Sequence, residues 1–285
     1  MLKILETPRD AIQGLKNIIP SSKKVELINT LLQVGFDIID IGSFVSSKAI
    51  PQLSDTEDVI KRIDISGTQS KLFVLTANTK GGEKAAQFEQ ISYIGFPFSI
   101  SPVFLKRNIN SDFNKALKTI DEIQNTCLKS KKKLIVYLTM AFGNPYGDPS
   151  GKEIILHWTE ILSRKGIETI SLSDIIGVAT PEMIKDIYAS LSKEFSGIEF
   201  GIHLHIKKDD WYDKIDAAYK NGCKIFDGVI NGIGGCPMTG YELLGNLPTG
   251  NILEYAQKNN ISLTIDKKKF TEAQVLAFQI AEIRK

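Results

Sequence analysis

Residues 200–206 read Phe-Gly-Ile-His-Leu-His-Ile, with apolar residues alternating with His203 and His205. Alternation with a period of two predicts a β-strand that carries both imidazoles on one face. An amphipathic stretch over about 209–221 follows and predicts a helix, and the apolar run Lys224–Val229 predicts another strand. This part of the chain therefore indicates strand–helix units that repeat.

The same alternation of strand and helix extends over the whole chain. The predicted strands are Leu2–Leu5, Ile38–Ile41, Leu72–Thr76, Ser92–Gly95, Leu134–Thr139, Thr169–Leu172, Phe200–Ile206 and Lys224–Val229. The predicted helices cover about 21–34, 54–63, 80–88, 110–129, 151–165, 181–193 and 209–221, with one more after 246. Eight strands that are each followed by a helix predict a (β/α)₈ TIM barrel.

The remaining organisation predicts one domain over 1–285. No linker or low-complexity stretch divides the sequence, and residues after about 260 predict a strand-like Ile261–Ile265 and a closing helix. A doubly wound open sheet is the alternative, but it would need a glycine-rich phosphate loop after an early strand. The sequence has no such loop, which favours the barrel.

Composition excludes several classes of protein. The 285 residues are 42% hydrophobic and 24% charged with a net charge of +2, which is typical of a globular enzyme and argues against nucleic-acid binding. No apolar run approaches the roughly 18–20 residues of a membrane span. The three cysteines are far apart, which favours a reducing compartment. Because the first strand begins almost at Met1, we expect no targeting peptide and a cytoplasmic location.

Polar residues cluster where the predicted strands end. In a barrel of this kind, catalytic groups come from the carboxyl ends of the strands and the loops that follow. The candidates at that rim are Arg9 and Asp10 after the first strand, Asp40 at the second, Asp174 after the sixth, His203 and His205 at the seventh, and Cys236 after the eighth. Their common location predicts one site.

The two histidines with Asp10 and Asn246 make a set of nitrogen and oxygen donors. Such a set suits Mg²⁺ or Mn²⁺ better than a sulfur-rich zinc site. The alternative is that His203 and His205 are buried residues with separate hydrogen-bond partners. Arg9 is similarly open to two interpretations: a local ion pair with Asp10, or a fixed cation facing a developing negative oxygen.

Cys236 lies in Gly232-Ile-Gly-Gly-Cys-Pro237, a glycine-rich loop that can approach a ligand closely. A buried, inert cysteine is the usual alternative. Asp40 and Asp174 are carboxylates that either orient the neighbouring site residues or take part in acid–base chemistry. The sequence favours neither role.

These motifs together resemble the hydroxymethylglutaryl-CoA lyase family, whose barrel is shared with isopropylmalate and homocitrate synthases. The resemblance is carried by Pro8-Arg-Asp-Ala-Ile-Gln13, Ser43-Phe-Val-Ser-Ser-Lys48 with Pro51-Gln52, Ser171-Leu-Ser-Asp-Ile-Ile-Gly177, His203-Leu-His205 and the Gly-Gly-Cys-Pro loop. The last of these is the specific element, because the synthases generally lack it.

The resemblance implies cleavage of (S)-3-hydroxy-3-methylglutaryl-CoA to acetyl-CoA and acetoacetate, with Mg²⁺ or Mn²⁺ and a role in leucine degradation. It implies metal ligation by Asp10, His203, His205 and Asn246, and stabilisation of an enolate oxygen by Arg9. It further implies proton transfer by Cys236, substrate contacts from Gln13 and Ser43, and a homodimer or higher homo-oligomer. The alternatives are a related 3-hydroxyacyl-CoA, a Claisen-type synthase, or a non-catalytic paralogue.

Three departures from the family pattern concern the site. Asp40 stands where the family has a glutamate, so its carboxylate is one methylene closer to the backbone. Ile206 stands where the family has an aspartate after the second strand-7 histidine. The loop from Cys236 to Asn246 is also one residue longer than the spacing we expect.

Overall fold

The computed structural model describes residues 1–15, 17–206, 209–234 and 244–283. Within them, eight parallel strands close into a barrel in chain order. The strands are β1 Lys3–Glu6, β2 Ile38–Phe44, β3 Lys71–Thr76, β4 Ile91–Ser99, β5 Lys133–Thr139, β6 Thr169–Asp174, β7 Glu199–Leu204 and β8 Ile225–Gly228. The TIM barrel predicted from the sequence is confirmed.

Helices surround the strands, as predicted. They are α1 Pro8–Gln13, α2 Ser21–Leu32, α3 Thr56–Arg62, α4 Thr79–Ala86, α5 Pro102–Ile109, α6 Phe113–Lys129, α7 Lys152–Arg164, α8 Pro181–Glu194, α9 Trp211–Lys220, α10 Thr249–Lys258 and α11 Lys267–Ala281. Two 3₁₀ turns, Pro51–Leu53 and Ile230–Gly232, lie in loops after β2 and β8. Among the described residues, no helix has the length and apolarity needed to cross a bilayer.

Apolar side chains are buried on both faces of the barrel wall, as parallel strands require. A small cluster fills the barrel interior, with Leu5, Phe73 and Ile225 among its members, and a much larger cluster lies between strands and helices. Gly95 leaves room for the Phe73 ring, since a Cβ at residue 95 would come within 2.1 Å of that ring. The apolar cluster closes the barrel below the carboxyl rim, and the rim stays open for polar groups.

Local signals explain several helix starts. Pro181 opens α8, and the Thr180 hydroxyl accepts a hydrogen bond from the Met183 N–H at 3.3 Å. The helix α3 begins after Asp55, without a side-chain cap. Ser21 is the first residue of α2, after Pro20, with no side-chain cap.

Three expectations about elements were wrong. Residues 261–265 form no strand, because the eight strands already pair into a closed barrel and leave no edge for a ninth. The helix predicted over 110–129 begins only at Phe113, since Asn110 has a left-handed φ of 51° and ends the separate helix α5. Pro8–Gln13, expected as a loop, is a short helix. That helix carries Arg9 and Asp10.

Candidate active site

A cavity of about 750 Å³ opens at the carboxyl ends of the strands. Its polar wall includes Arg9 and Asp10 from α1, His203 from β7, His205 just beyond it, and Asp227 from β8. Apolar residues from the loops after β1 and β2, such as Leu15 and Ile50, line another part of it. The residues predicted at one rim are therefore brought to one cavity, with the exceptions described below.

Asp10, His203 and His205 form a cluster that is able to hold a cation. One ligand atom from each lies within 4.8 Å of the others. His203 Nε2 is 3.2 Å from His205 Nε2 and 3.8 Å from Asp10 Oδ2. The two-residue spacing on a strand places both imidazoles on the inner face, as the sequence predicted.

In each imidazole, Nδ1 lies beside a hydrogen-bond acceptor, whereas Nε2 faces the other ring. His205 Nδ1 lies 3.1 Å from the Leu244 carbonyl oxygen, and a carbonyl can only accept, so Nδ1 carries the hydrogen. His203 Nδ1 lies 3.2 Å from Asp227 Oδ2, which favours the same tautomer. Two unprotonated Nε2 atoms then face each other at 3.2 Å. Their lone pairs repel unless a cation or a proton lies between them.

The two imidazoles differ in their tendency to take up a proton. Burial, reinforced by the neighbouring His203, lowers the pKa of His205 to about 4. Burial also disfavours charge on His203, but the hydrogen bond and charge of Asp227 outweigh it and raise the pKa of His203. His205 is therefore neutral at physiological pH, the form in which imidazole binds metals.

Asn246 lies beside this cluster. It pairs with His205 in an isolated antiparallel bridge, and its hydrogen bonding helps to keep the pKa of Asp10 low. The amide nitrogen donates to the Ile233 carbonyl at 3.1 Å, while the buried Oδ1 has no hydrogen-bond partner among the described residues. A buried acceptor without a partner is costly, so the donor set fits a divalent cation.

Arg9 lies between this cluster and the second strand. Its Nε donates to Asp40 Oδ2 at 2.8 Å and its Nη2 lies 2.7 Å from the same oxygen. Its Nη1 donates to Asp10 Oδ1 and to Gln13 Oε1, both at 3.0 Å. Within the described chain these contacts use four of the five guanidinium N–H groups, which leaves one on Nη2 for a ligand.

The charges around Arg9 are buried and compensated. Burial disfavours the guanidinium, but Asp40 and Asp10 outweigh it and raise the pKa of Arg9 further. Burial raises the pKa of Asp40 to about 7 despite the adjacent Arg9. Asp40 Oδ1 has no partner among the described residues. Arg9 is thus a fixed cation whose orientation depends on Asp40.

Only some of the other predicted site residues line the cavity. Gln13 lines it and donates to Asp10 Oδ1. Ser43 is buried with its hydroxyl donating to the Leu75 carbonyl, and Asp174 accepts from the Val178 and Ala179 N–H groups. Among the described residues, four predicted site residues do not line the cavity: Asp40, Ser43, Asp174 and Asn246. Cys236 lies outside the described residues.

Sequence reasoning missed Asp227 and Tyr137. Asp227 is buried, accepts from His203 and lies beside the Tyr137 hydroxyl. Both residues line the cavity. A signal was present, because Asp227 is the charged residue inside the otherwise apolar run 225–229. A carboxylate on a strand buried on both faces needs a partner, which points to a functional network.

Comparison with known proteins gives consistent findings. The family model described as HMGL-like matches residues 2–276. The chain is 30% identical over 276 residues to the bovine mitochondrial hydroxymethylglutaryl-CoA lyase, covering 95% of this chain and 83% of the relative. It is also 30% identical to the mouse cytoplasmic 3-hydroxy-3-methylglutaryl-CoA lyase, covering 95% and 79%.

Solved structures show the same likeness. An HMG-CoA lyase from Acinetobacter baumannii, in complex with coenzyme A and 3-methylmalate, has a TM-score of 0.91 and 27% identity, covering 99% of this chain and 91% of that one. The HMG-CoA lyase from Brucella melitensis has a TM-score of 0.90 and 26% identity, covering 99% of each chain.

Proposed function

Because the chain belongs to the HMGL-like family, we propose that it is a divalent-metal-dependent carbon–carbon lyase acting on (S)-3-hydroxy-3-methylglutaryl-CoA. The products are acetyl-CoA and acetoacetate. The observation that carries the proposal is the meeting of Asp10, His203 and His205 beside the buried Arg9 in one cavity. Relatives named as lyases of this substrate support the choice of reaction.

A divalent cation, Mg²⁺ or Mn²⁺, would be held by Asp10, His203, His205 and Asn246, and would polarise the oxygen atoms of a bound substrate. Asp227 and the Leu244 carbonyl keep Nε2 of the two imidazoles free for that role. The unpartnered Oδ1 of Asn246 supplies a further oxygen. The mixed nitrogen and oxygen donors favour these cations over zinc.

In the proposed cleavage a base takes the proton of the C3 hydroxyl, and that oxygen becomes the carbonyl oxygen of acetoacetate. The C2–C3 bond breaks, and its electron pair moves to C2 and the thioester oxygen. The free N–H of Arg9 donates to that developing oxyanion, and Asp40 holds the guanidinium in place. C2 then takes up a proton to give acetyl-CoA. We propose Cys236 as the carrier of this proton and Gln13 as a residue that positions Arg9 and Asp10.

Two predicted residues take structural roles in this proposal. Asp174 fixes the loop after β6 through two backbone hydrogen bonds, and its carbonyl accepts from the His205 N–H at 2.9 Å. Ser43 holds the end of β2 to β3. Both therefore support the cavity wall from behind and are proposed to position residues that contact the substrate.

The test is release of acetoacetate from the purified protein with and without added Mg²⁺ or Mn²⁺. We expect activity only with the metal, and none in His203→Ala. His157→Ala is the matched control, because this third histidine is exposed on α7. Activity in the metal-free protein, or a His203→Ala variant as active as the native chain, would refute the proposal.

Arg9→Lys tests the oxyanion role separately. Lysine keeps the charge but loses the planar arrangement of donors that pairs with Asp40. We expect kcat to fall on the order of 10²–10³-fold, the usual loss for one oxyanion donor. A kcat close to the native value would exclude Arg9 from this role.

Several finer points stay predictions. A panel of 3-hydroxyacyl-CoA esters would show whether the C3 substituent is methyl or larger. Sedimentation would test the predicted homodimer. The cytoplasmic location and the role in leucine degradation also stay predictions, since the relatives' names include both mitochondrial and cytoplasmic lyases.

A further inference from the structure

Glu6 is a buried carboxyl group that the proposed reaction does not use. Its neighbour Leu5 belongs to the cluster inside the barrel, so Glu6, the next residue of β1, points to the opposite face. There Glu6 Oε1 accepts from the Ile230 N–H at 2.7 Å, and Oε2 accepts from the Thr249 hydroxyl. All of these groups are buried.

These two contacts tie together both ends of one segment. Ile230 begins the 3₁₀ turn after β8, and Thr249 is the first residue of α10. Between them lie the glycine-rich stretch that starts at Gly232 and the candidate ligand Asn246. Backbone bonds from the Val229 N–H to Leu247, and from the Thr249 N–H to Val229, run beside the same junction.

The turn held by Glu6 is also connected to the Asn246 amide. The turn needs left-handed backbone at Asn231 (φ 58°) and Gly232 (φ 64°), which a hydrogen bond to the Ile230 N–H helps to maintain. Immediately after it, the Ile233 carbonyl accepts from Asn246 Nδ2 at 3.1 Å. A further hydrogen bond, from the Asn246 amide to Asp10, holds the same side chain beside the candidate metal ligands.

We infer that Glu6 is a positioning residue: it fixes the turn at Ile230 and the start of α10, and thereby holds the amide of Asn246 beside Asp10, His203 and His205. The inference rests on the proposed metal site, and it assigns a role to a carboxyl group that lies outside that site. Burial raises the pKa of Glu6 to about 8, so a neutral glutamine is a suitable replacement.

The experiment is calorimetric titration of the purified chain with Mn²⁺, together with thermal unfolding of each metal-free variant. We expect Asn246→Ala and Glu6→Ala each to weaken Mn²⁺ binding by about tenfold or more, the loss typical when a group that orients a metal ligand is removed. Thr249→Val, which deletes one hydroxyl and keeps the side-chain shape, should weaken it by about threefold. Glu6→Gln should stay within about threefold of the native chain.

A double-variant cycle separates positioning from general stability. If Glu6 acts through Asn246, the double variant Glu6→Ala/Asn246→Ala binds no more weakly than Asn246→Ala alone. Ser70→Ala is the stability control, because it removes a buried hydrogen bond to the Phe36 carbonyl at the far end of the barrel. It should lower the unfolding temperature and leave Mn²⁺ affinity unchanged.

The outcomes are distinguishable from failure of the proposed function. A native chain that does not bind Mn²⁺ would refute the metal site itself. A native chain that binds, with Glu6→Ala or Thr249→Val binding equally well, would overturn the positioning role alone. Additive losses in the double variant would do the same. If Glu6→Ala does not fold, Thr249→Val and Glu6→Gln still decide the question.

Discussion

Replacing Asp227 by asparagine should weaken metal binding without disturbing the fold. In the native chain Asp227 Oδ2 accepts from His203 Nδ1 at 3.2 Å, which keeps Nε2 unprotonated. The asparagine NH₂ can instead donate to Nδ1, which moves the imidazole hydrogen to Nε2. That N–H then points at His205 Nε2, 3.2 Å away, and occupies the position needed by the cation.

The magnitude follows from the role of such partners. Loss of a group that orients a metal-binding histidine typically costs 10–100-fold in affinity, or about 1.4–2.7 kcal/mol. At a metal concentration 100 times the native Kd, the native chain gains about 2.7 kcal/mol of stability. A variant that binds tenfold more weakly gains about 1.4 kcal/mol, and one that binds a hundredfold more weakly gains about 0.4 kcal/mol.

Two measurements check this prediction: the Kd for Mn²⁺ by calorimetry, and urea unfolding with and without metal. Tyr137→Phe is the matched control, because it removes the other polar group beside Asp227 without changing the imidazole contact. We expect it to alter Kd by less than about threefold. An Asp227→Asn variant with native Kd and native stabilisation by metal would refute the tautomer reasoning.

Three further outcomes are expected. Mn²⁺ affinity should fall as pH drops from 8 to 6, because protons compete with the metal at His203, whose pKa is raised. His205, with a pKa of about 4, stays neutral over this range. A calorimetric Kd that does not change with pH would contradict this prediction. Gly95→Ala should lower the free energy of unfolding by about 1–3 kcal/mol, because the added Cβ overlaps the Phe73 ring; an unchanged urea midpoint would show that the ring can move. The pKa of Glu6 is raised from 4.5 to about 8, so the native chain should lose stability relative to Glu6→Gln as pH rises from about 4.5 through 8. The measurement is the free energy of unfolding of both proteins at pH 5, 7 and 8.5. A difference between them that stays the same at all three pH values would count against the prediction.

The location of the candidate metal ligands was predictable because it follows from local rules. The two-residue spacing of His203 and His205 places both on one face of a strand, and parallel strands of a barrel end at the same rim. Asp10 was predicted there for the same reason. Their meeting within 4.8 Å agrees with that reasoning.

Other site features could not be read from local patterns. Asp227 and Tyr137 come from strands far apart in sequence, and only closure of the barrel brings the carboxylate between Tyr137 and His203. Asp174 looked equivalent to Asp40, since both occur at strand ends. The structure separates them: Asp40 contacts Arg9, whereas Asp174 contacts backbone behind the cavity wall.

The sequence by itself determined the periodicity of eight strands and the helices between them, because burial on a strand or a helix imposes a repeat that is written locally. Its motifs also identified the family. The tertiary structure decided which polar atoms have partners and which face the cavity. Residues 6, 230 and 249 illustrate this: more than 200 positions separate Glu6 from the groups it holds. Such contacts depend on the closed barrel, and a spacing rule along the chain does not contain them.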